Sequence, residues 1–296
     1  MLLLIKYTLL YGIVLMLVAL GGMFSEHSGI INIALEGIMV IGGVAGVLTL
    51  TMLPASLPAF ATVLIAVLVA AIAGMVYSLL LAFASINLKA DQTIGGTALN
   101  LLATAVAVVI SKNFSDSGSA KLNYSNKPFL FSIGGLELSI FVPLGIALLI
   151  ISYIVLYKTR FGLRLRMVGE NPKAAATMGL RVHGIKYCGV LICGALAGVG
   201  GAYLSLDQLD MFVRNMTAGR GYIAVAIAIL GRYNPAQIVP CALLFGFCDA
   251  VQIYLQGEAF PPQIVQMLPY IVTLLVLAFG VKHIKPPAGV GKYDDE

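Results

Sequence analysis

Residues 59–85 read AFATVLIAVLVAAIAGMVYSLLLAFAS and contain no charged side chain. A helix of about 20 apolar residues is long enough to cross the ~30 Å hydrocarbon core of a bilayer. Runs of this kind recur along the chain, whereas a signal peptide or a single anchor would leave one run near an end. The sequence therefore predicts an all-α, polytopic bundle of transmembrane helices.

The overall composition agrees with this prediction. Hydrophobic residues make up 60% of the chain and charged residues only 10%, against about 25% charged in soluble domains, and the mean hydropathy is +0.98. Eight spans are predicted near residues 8–24, 33–53, 59–85, 93–111, 139–157, 184–206, 236–255 and 264–281. A shorter apolar run at 221–230 would add a ninth span if it crosses the membrane.

The formal charge of +5 is concentrated in one loop. Basic residues flanking transmembrane spans mark the cytoplasmic side, so membrane topology and lipid headgroups account for the charge and no nucleic-acid partner is predicted. One domain, 1–296, then has a cytoplasmic loop at 157–183, an external loop at 112–138, a cytoplasmic tail at 282–296 and an external amino terminus. The basic residues of the loop region are Lys158, Arg160, Arg164, Arg166, Lys173, Arg181 and Lys186, with Glu170 as the only acid among them.

Each half of the chain contains a short apolar segment interrupted by glycine or polar residues. The first is SEHSGIINIALEGIMVIGG at 25–43 and the second is TAGRGYIAVAIAILG at 217–231. Broken helices at matching places in two halves indicate a translocation site, and irregular backbone at membrane depth must be buried in protein or line a cavity. The alternative is close helix packing at glycine.

The cytoplasmic loop contains the sequence GENPKAAATMG at 169–179. Asn171 is a good N-cap, Pro172 suits the first helical position, and Gly179 suits the position just past the end. A two-turn helix is marginal on its own. It is therefore expected either to dock into another protein or to serve as a helical linker.

These residues resemble a known family. GENPKAAATMGLRVHGIKYCGVLICGALAGVGGAYLSL, beginning at 169, is similar to the coupling segment of membrane permeases of ATP-binding-cassette importers, in the ribose/branched-chain amino acid superfamily. SGIINIALEGIMVIGG at 28–43 and QTIGGTALNLLA at 92–103 resemble the purine nucleoside permeases that work with basic-membrane-protein-type lipoproteins. The resemblance covers about residues 8–281.

The resemblance implies a permease subunit without catalytic residues, in a bacterial plasma (inner) membrane. Its partners would be an ATPase subunit that binds ATP and Mg, a second and longer related permease forming a heterodimer, and a substrate-binding lipoprotein. The chain itself would hold no cofactor. The motif positions assigned to ATPase coupling are Glu170, Asn171, Pro172, Ala174, Ala175 and Gly179.

Five polar residues within apolar segments are candidates for the substrate pathway: Asn32, Glu36, Thr97, Asn100 and Asp249. Asn32 and Glu36 share a face if their segment is helical. Amides can pair with base edges and ribose hydroxyls, and an intramembrane carboxylate indicates a cavity or a partner. The alternative for each is an interhelical hydrogen bond that only stabilises packing.

Other functions are less well supported by the residues. The substrate could instead be a simple sugar, a branched-chain amino acid or riboflavin, or the protein could be an ion-coupled secondary transporter using Glu36 and Asp249. No metal site or Ser/His/Asp set is visible. His27 and His183 are expected in loops, and Arg214 and Arg220 near the outer face. The cysteines, expected to be small buried residues, are Cys188, Cys193, Cys241 and Cys248.

Overall fold

The computed structural model describes residues 2–54, 58–115, 121–123, 130–133, 136–209, 211–255, 267–280 and 286–291. Leu204–Gln208 form a π-helical turn. The strands are β1 (Lys121–Asn123), β2 (Leu130–Ile133), β3 (Leu136–Ser139) and β4 (Met211–Val213). The helices are α1 (Leu2–His27), α2 (Leu35–Met52), α3 (Ala59–Ile86), α4 (Gln92–Phe114), α5 (Phe141–Lys158), α6 (Arg160–Glu170), α7 (Pro172–Thr177), α8 (Val182–Tyr203), α9 (Arg220–Leu230), α10 (Pro235–Leu255) and α11 (Leu268–Gly280).

The predicted helical bundle is confirmed. Seven described helices are long and apolar enough to cross a membrane, and they coincide with the first seven predicted spans. The eighth predicted span, 264–281, contains α11, while residues 264–266 and 281 lie outside the described ranges. The short predicted run at 221–230 is α9.

The contacts of the loops define two ends of the bundle. At the first, which we call the coupling end, α6 and α7 meet the tail: the Gly289 amide donates to the Gly169 carbonyl at 2.8 Å, and the Gly291 amide donates to the Gly29 carbonyl at 3.2 Å. At the opposite end, β1 from the predicted external loop pairs antiparallel with β4. The tail and the basic loop therefore share one end, as the charge pattern predicts.

The segment 211–233 crosses between these ends. It begins with β4 at the opposite end, and it finishes at Tyr233, whose carbonyl accepts a 2.9 Å hydrogen bond from His27 Nε2. The backbone of His27 packs directly against Gly169 at the coupling end. The segment that contains α9 thus joins the two ends, which is the crossing that the nine-span topology requires.

Helix α8 is the centre of the bundle and packs against α1, α2 and α3. Apolar helices gain little from burial against one another in lipid, so close packing at small residues holds them together. At Gly198 a Cβ atom would collide with the Ala70 carbonyl on α3, and a Cβ at Gly42 would collide with the Gly198 backbone. These glycines allow the three backbones to touch.

The first predicted interruption is a non-helical connection at residues 28–34, between α1 and α2. Its backbone groups have partners from the surrounding helices, as a buried irregular segment requires. The Ile31 amide donates to Gln92 Oε1 at 2.7 Å, and Ser25 Oγ donates to the Ile30 carbonyl at 2.9 Å. α2 consequently begins inside the bundle, and Leu35 is fully buried.

β2 and β3, which begin in the predicted external loop, pair antiparallel with Phe131 opposite Leu138. The pairing of β1 with β4 has no local signal in the sequence. The basic loop also contains more structure than predicted: α6 precedes the two-turn α7 and carries alternating basic and apolar residues.

Candidate translocation site and coupling helix

The Glu36 carboxylate joins the two interrupted segments. Glu36 lies in the first turn of α2, and its Oε1 and Oε2 accept hydrogen bonds from the Gly219 and Gly221 amides at 2.8 and 2.6 Å. These amides belong to the start of α9, where unpaired N–H groups and the positive end of the helix dipole favour a negative charge. Glu36 thus caps α9 from a helix 183 residues earlier in the chain.

Asn100 of α4 fixes the start of α2. Its Oδ1 accepts from the Gly37 amide at 2.8 Å, and its Nδ2 donates to the Ile33 carbonyl at 3.0 Å and to the Tyr222 hydroxyl at 2.9 Å. Asn100 is 7% exposed, whereas Tyr222 is 46% exposed. Since the Tyr222 hydroxyl accepts from Asn100, its own hydrogen remains available for another hydrogen bond.

Arg220 and Asp249 form an ion pair inside the bundle. Arg220 Nε lies 3.2 Å from Asp249 Oδ2, with side-chain exposures of 17% and 6%. The Arg220 guanidinium also lies over the Tyr11 ring of α1, 5.3 Å from its centroid. Arg220, which the sequence places near the outer face, is thus engaged inside the bundle: an isolated charge at membrane depth is costly, and Asp249 supplies the compensating charge.

Asn32 and Thr97 do not join this cluster. Asn32 lies in the non-helical connection, so it does not share a helical face with Glu36. Its Nδ2 contacts Cys193 Sγ at 3.1 Å. Its buried Oδ1 has no hydrogen-bond partner among the described residues. Thr97 is exposed, and its hydroxyl donates only to carbonyls of its own helix. Local sequence spacing failed here because the backbone changes direction before Leu35.

The two-turn helix α7 has the predicted ends. Asn171 Oδ1 accepts from the Ala174 amide at 3.0 Å. At the other end the Gly179 amide bonds the Ala176 carbonyl and the Leu180 amide bonds the Ala175 carbonyl, the pair of contacts of a Schellman motif. Gly179 has φ +78°, a conformation that glycine adopts without steric cost.

The surface of α7 separates the predicted coupling residues into two groups. Ala175 is fully buried in its own chain, so it cannot contact a separate subunit. Ala174 is exposed, and Met178 is 70% exposed. Glu170 is exposed and accepts a 3.2 Å bond from the Ala288 amide of the tail, while Asn171 and Pro172 form the start of the helix.

Glu26 and His27 form the end of α1, so His27 is not in a loop, as the sequence suggested. Glu26 is 5% exposed and hydrogen-bonds the Tyr233 hydroxyl. The turn between α9 and α10 has positive φ at Arg232 and Tyr233, an uncommon conformation for such side chains. Contacts with α1 thus hold a strained turn at the coupling end.

The remaining candidates are placed as follows. Cys193 and Cys248 are buried as expected, but Cys241 is only partly buried and Cys188 is exposed. Cys188 is exposed because it lies on the side of α8 that faces away from the other central helices. His183 and Arg214 are exposed. Across the described ranges, no group of His, Cys, Asp and Glu side chains could hold a metal ion.

Residues 4–277 match the family described as branched-chain amino acid transport system / permease component. The chain belongs to this family. Among its relatives, the nucleoside ABC transporter permease protein NupC of Lactococcus lactis is 38% identical, over 95% of this chain and 93% of that protein. The guanosine ABC transporter permease protein NupQ of Bacillus subtilis is 38% identical, over 96% and 93%.

A more distant relative, the glucose ABC transporter permease protein TsgB13 of Haloferax volcanii, is 26% identical over 74% of this chain and 61% of that protein. The chain is thus a multi-pass membrane permease of an ABC importer. Family membership decides against the ion-coupled secondary transporter. The geometry agrees, because Glu36 and Asp249 are engaged by the start of α9 and by Arg220.

We expect Glu36→Gln to destabilise this permease by roughly 2–3 kcal/mol. The change turns one of the two accepting oxygens into an NH2 group, which cannot accept from the Gly219 or Gly221 amide that it faces, and a hydrogen bond to a charged group contributes about 1.5–3 kcal/mol. Thermal unfolding of the purified protein in detergent measures the change. Glu170→Gln, at an exposed carboxylate that also accepts a backbone bond, is the matched control, and equal losses in the two variants would contradict the capping role.

Proposed function

We propose that this permease forms, with a second related permease, the path by which an ATP-driven importer takes up purine nucleosides. A substrate-binding lipoprotein outside the membrane delivers the nucleoside, and a separate ATPase subunit binds ATP and Mg. This chain makes and breaks no substrate bond. The observation that carries the proposal is the 38% identity, over nearly the whole chain, to permeases named for nucleoside and for guanosine.

In this proposal the substrate passes the junction of α2, α4 and α9. Tyr222 presents about half of its surface, with a hydroxyl hydrogen that Asn100 leaves free. Thr97, three residues before Asn100 on α4, is exposed and stays a candidate for the path outside this junction. An aromatic ring beside polar groups suits a nucleoside, because the base can stack while its ribose hydroxyls hydrogen-bond.

Glu36, Asn100 and Asp249 have positioning roles in this proposal. The polar side-chain atoms of each residue already bond other groups of the chain. They therefore fix the starts of the two interrupted helices and leave substrate contact to Tyr222 and its neighbours. Asn32 has an unused buried carbonyl oxygen and is a further candidate for the path.

Coupling to the ATPase is assigned to the exposed side of α7. Ala174 and Met178 offer a small and a flexible apolar contact, and the rigid caps at Asn171 and Gly179 let the helix transmit movement as a unit. The backbone bonds between the tail and Gly169 and Gly29 tie this helix to the interrupted segment after α1. Rotation of a docked ATPase would therefore reach the start of α2.

A role for Tyr222 predicts a graded effect on uptake. Tyr222→Phe should raise KM for guanosine about 3–10-fold through loss of one hydrogen bond. Tyr222→Ala should raise KM further, because stacking of one base contributes about 1–3 kcal/mol. Tyr153→Phe, at an exposed tyrosine of α5, should leave KM unchanged. An unaltered KM in Tyr222→Ala would remove Tyr222 from the path.

The substrate class is tested by competition. Cells that lack the gene and carry it back on a plasmid should take up labelled guanosine, and excess inosine or adenosine should compete while glucose and leucine should not. Glucose is the second candidate, because TsgB13 is named for it. Competition by glucose alone would replace the nucleoside assignment with a sugar assignment.

A further inference from the structure

An apolar crevice opens at the surface of the helical bundle between α5 and α8. Its volume is about 510 Å³, and its walls include Leu148 and Val155 of α5, Phe161 of α6, and Cys188 and Ala195 of α8. Ser152 and Cys188 are its only lining residues with a polar side-chain atom. The crevice follows α8 from Cys188 to Leu196, about 12 Å at the helical rise of ~1.5 Å per residue.

The position of the crevice indicates a membrane ligand. It lies in the half of the transmembrane region nearest the coupling end, because its lining reaches Phe161 at the start of α6. A crevice this poor in polar atoms gives water few partners, so apolar chains are its natural content. A cavity with this orientation fits an acyl chain that enters from the adjacent leaflet.

Basic residues next to the lining residues along the chain indicate the headgroup. Lys158, Arg160 and Arg164 are exposed, and none of them forms an ion pair within the described residues. Arg160 and Arg164 lie one turn apart on α6, and Arg160 is adjacent to the lining residue Phe161. The exposed side chain of Leu163 between these arginines gives α6 the pattern of a helix that lies at a membrane surface.

We propose that the crevice and the arginines of α6 form a binding site for an anionic phospholipid. One acyl chain occupies the space between α5 and α8, and the phosphate group binds Arg160 and Arg164. The lipid fills a void that would otherwise separate α5 from α8, and it holds α6 against the membrane beside the coupling helix. This site is separate from the substrate path.

Photocrosslinking tests the site in the full-length protein, expressed with its transporter partners and placed in phosphatidylcholine nanodiscs. The probe is phosphatidylglycerol with a diazirine on one acyl chain, and the readout is its crosslinking yield on the peptides that carry residues 148–155 and 188–196. Unlabelled phosphatidylglycerol should compete, and added phosphatidylcholine should not. Loss of both headgroup contacts in Arg160→Gln/Arg164→Gln should lower the yield about 25-fold, since each basic residue contributes about fivefold.

Two further variants separate the site from general effects. Arg160→Lys/Arg164→Lys keeps the charge and should retain most of the yield, and Ala195→Trp should block the crevice and remove the crosslink. Lys173→Gln, at an exposed basic residue of α7, should have no effect. Equal competition by phosphatidylcholine, or crosslinks from the crevice to a second permease in place of the lipid, would overturn the proposal.

Discussion

Arg220→Met is expected to be the most destabilising of the single substitutions considered, with a cost of about 3–5 kcal/mol. It leaves the Asp249 carboxylate, 6% exposed, without a compensating charge, and it removes the cation over the Tyr11 ring. The same change also frees the start of α9, because Arg220 is its first residue. The folded protein should therefore lose roughly 10 °C or more in thermal stability.

The buried thiols of Cys193 and Cys248 report this unfolding directly. In a Cys188→Ser/Cys241→Ser background, a fluorogenic maleimide reacts with them only when the bundle opens. The double variant Arg220→Met/Asp249→Leu should recover much of the loss, because it removes both charges. Arg232→Met, at an exposed arginine just past α9, is the control. Wild-type stability in Arg220→Met would show that no buried pair exists.

The second large effect is expected at the coupling helix. Ala174→Glu places a bulky charge on the exposed face of α7, and residues at the centre of a packed interface contribute about 2 kcal/mol or more each. Affinity for the partner ATPase should fall at least about 30-fold, and uptake should fall to background. Asn171→Ala, which removes the N-cap, should give a smaller loss because a cap contributes about 1 kcal/mol.

Copurification of the ATPase with the tagged permease measures this effect, with thermal stability as the check on folding. Arg214→Glu, at an exposed arginine next to β4 and thus at the opposite end, should leave copurification intact. Normal copurification and uptake by Ala174→Glu would remove α7 from the coupling interface. Ala175 is unsuitable for this test because it is fully buried.

Local features of this fold follow from local sequence. The spans are set by apolar length, the interruptions by glycine and polar residues, and α7 by Asn171, Pro172 and Gly179. Each of these signals acts within a few residues along the chain, so no tertiary information is needed. The fold class and the short helix α7 with its two caps were accordingly predictable.

The site depends on contacts between distant residues. Glu36 meets Gly219 across 183 positions, and Arg220 meets Asp249 across 29, so their pairing depends on how the helices pack. One signal was present: opposite charges in two apolar segments tend to pair in a membrane, which favours Arg220 with Asp249. The start of α9 offered another, because it has no acid of its own.

The proposed function makes this permease a carrier of purine nucleosides in a transporter driven by ATP. Reconstitution tests it most directly: the permease, its second permease and its ATPase are placed in liposomes, and the lipoprotein loaded with labelled guanosine is added. Guanosine should enter the liposomes only when ATP is present on the ATPase side. An ionophore that collapses ion gradients should leave the rate of uptake unchanged. A substitution of the catalytic carboxylate of the ATPase should stop uptake. Uptake without ATP that stops when the ionophore is added would contradict ATP-driven import by this permease.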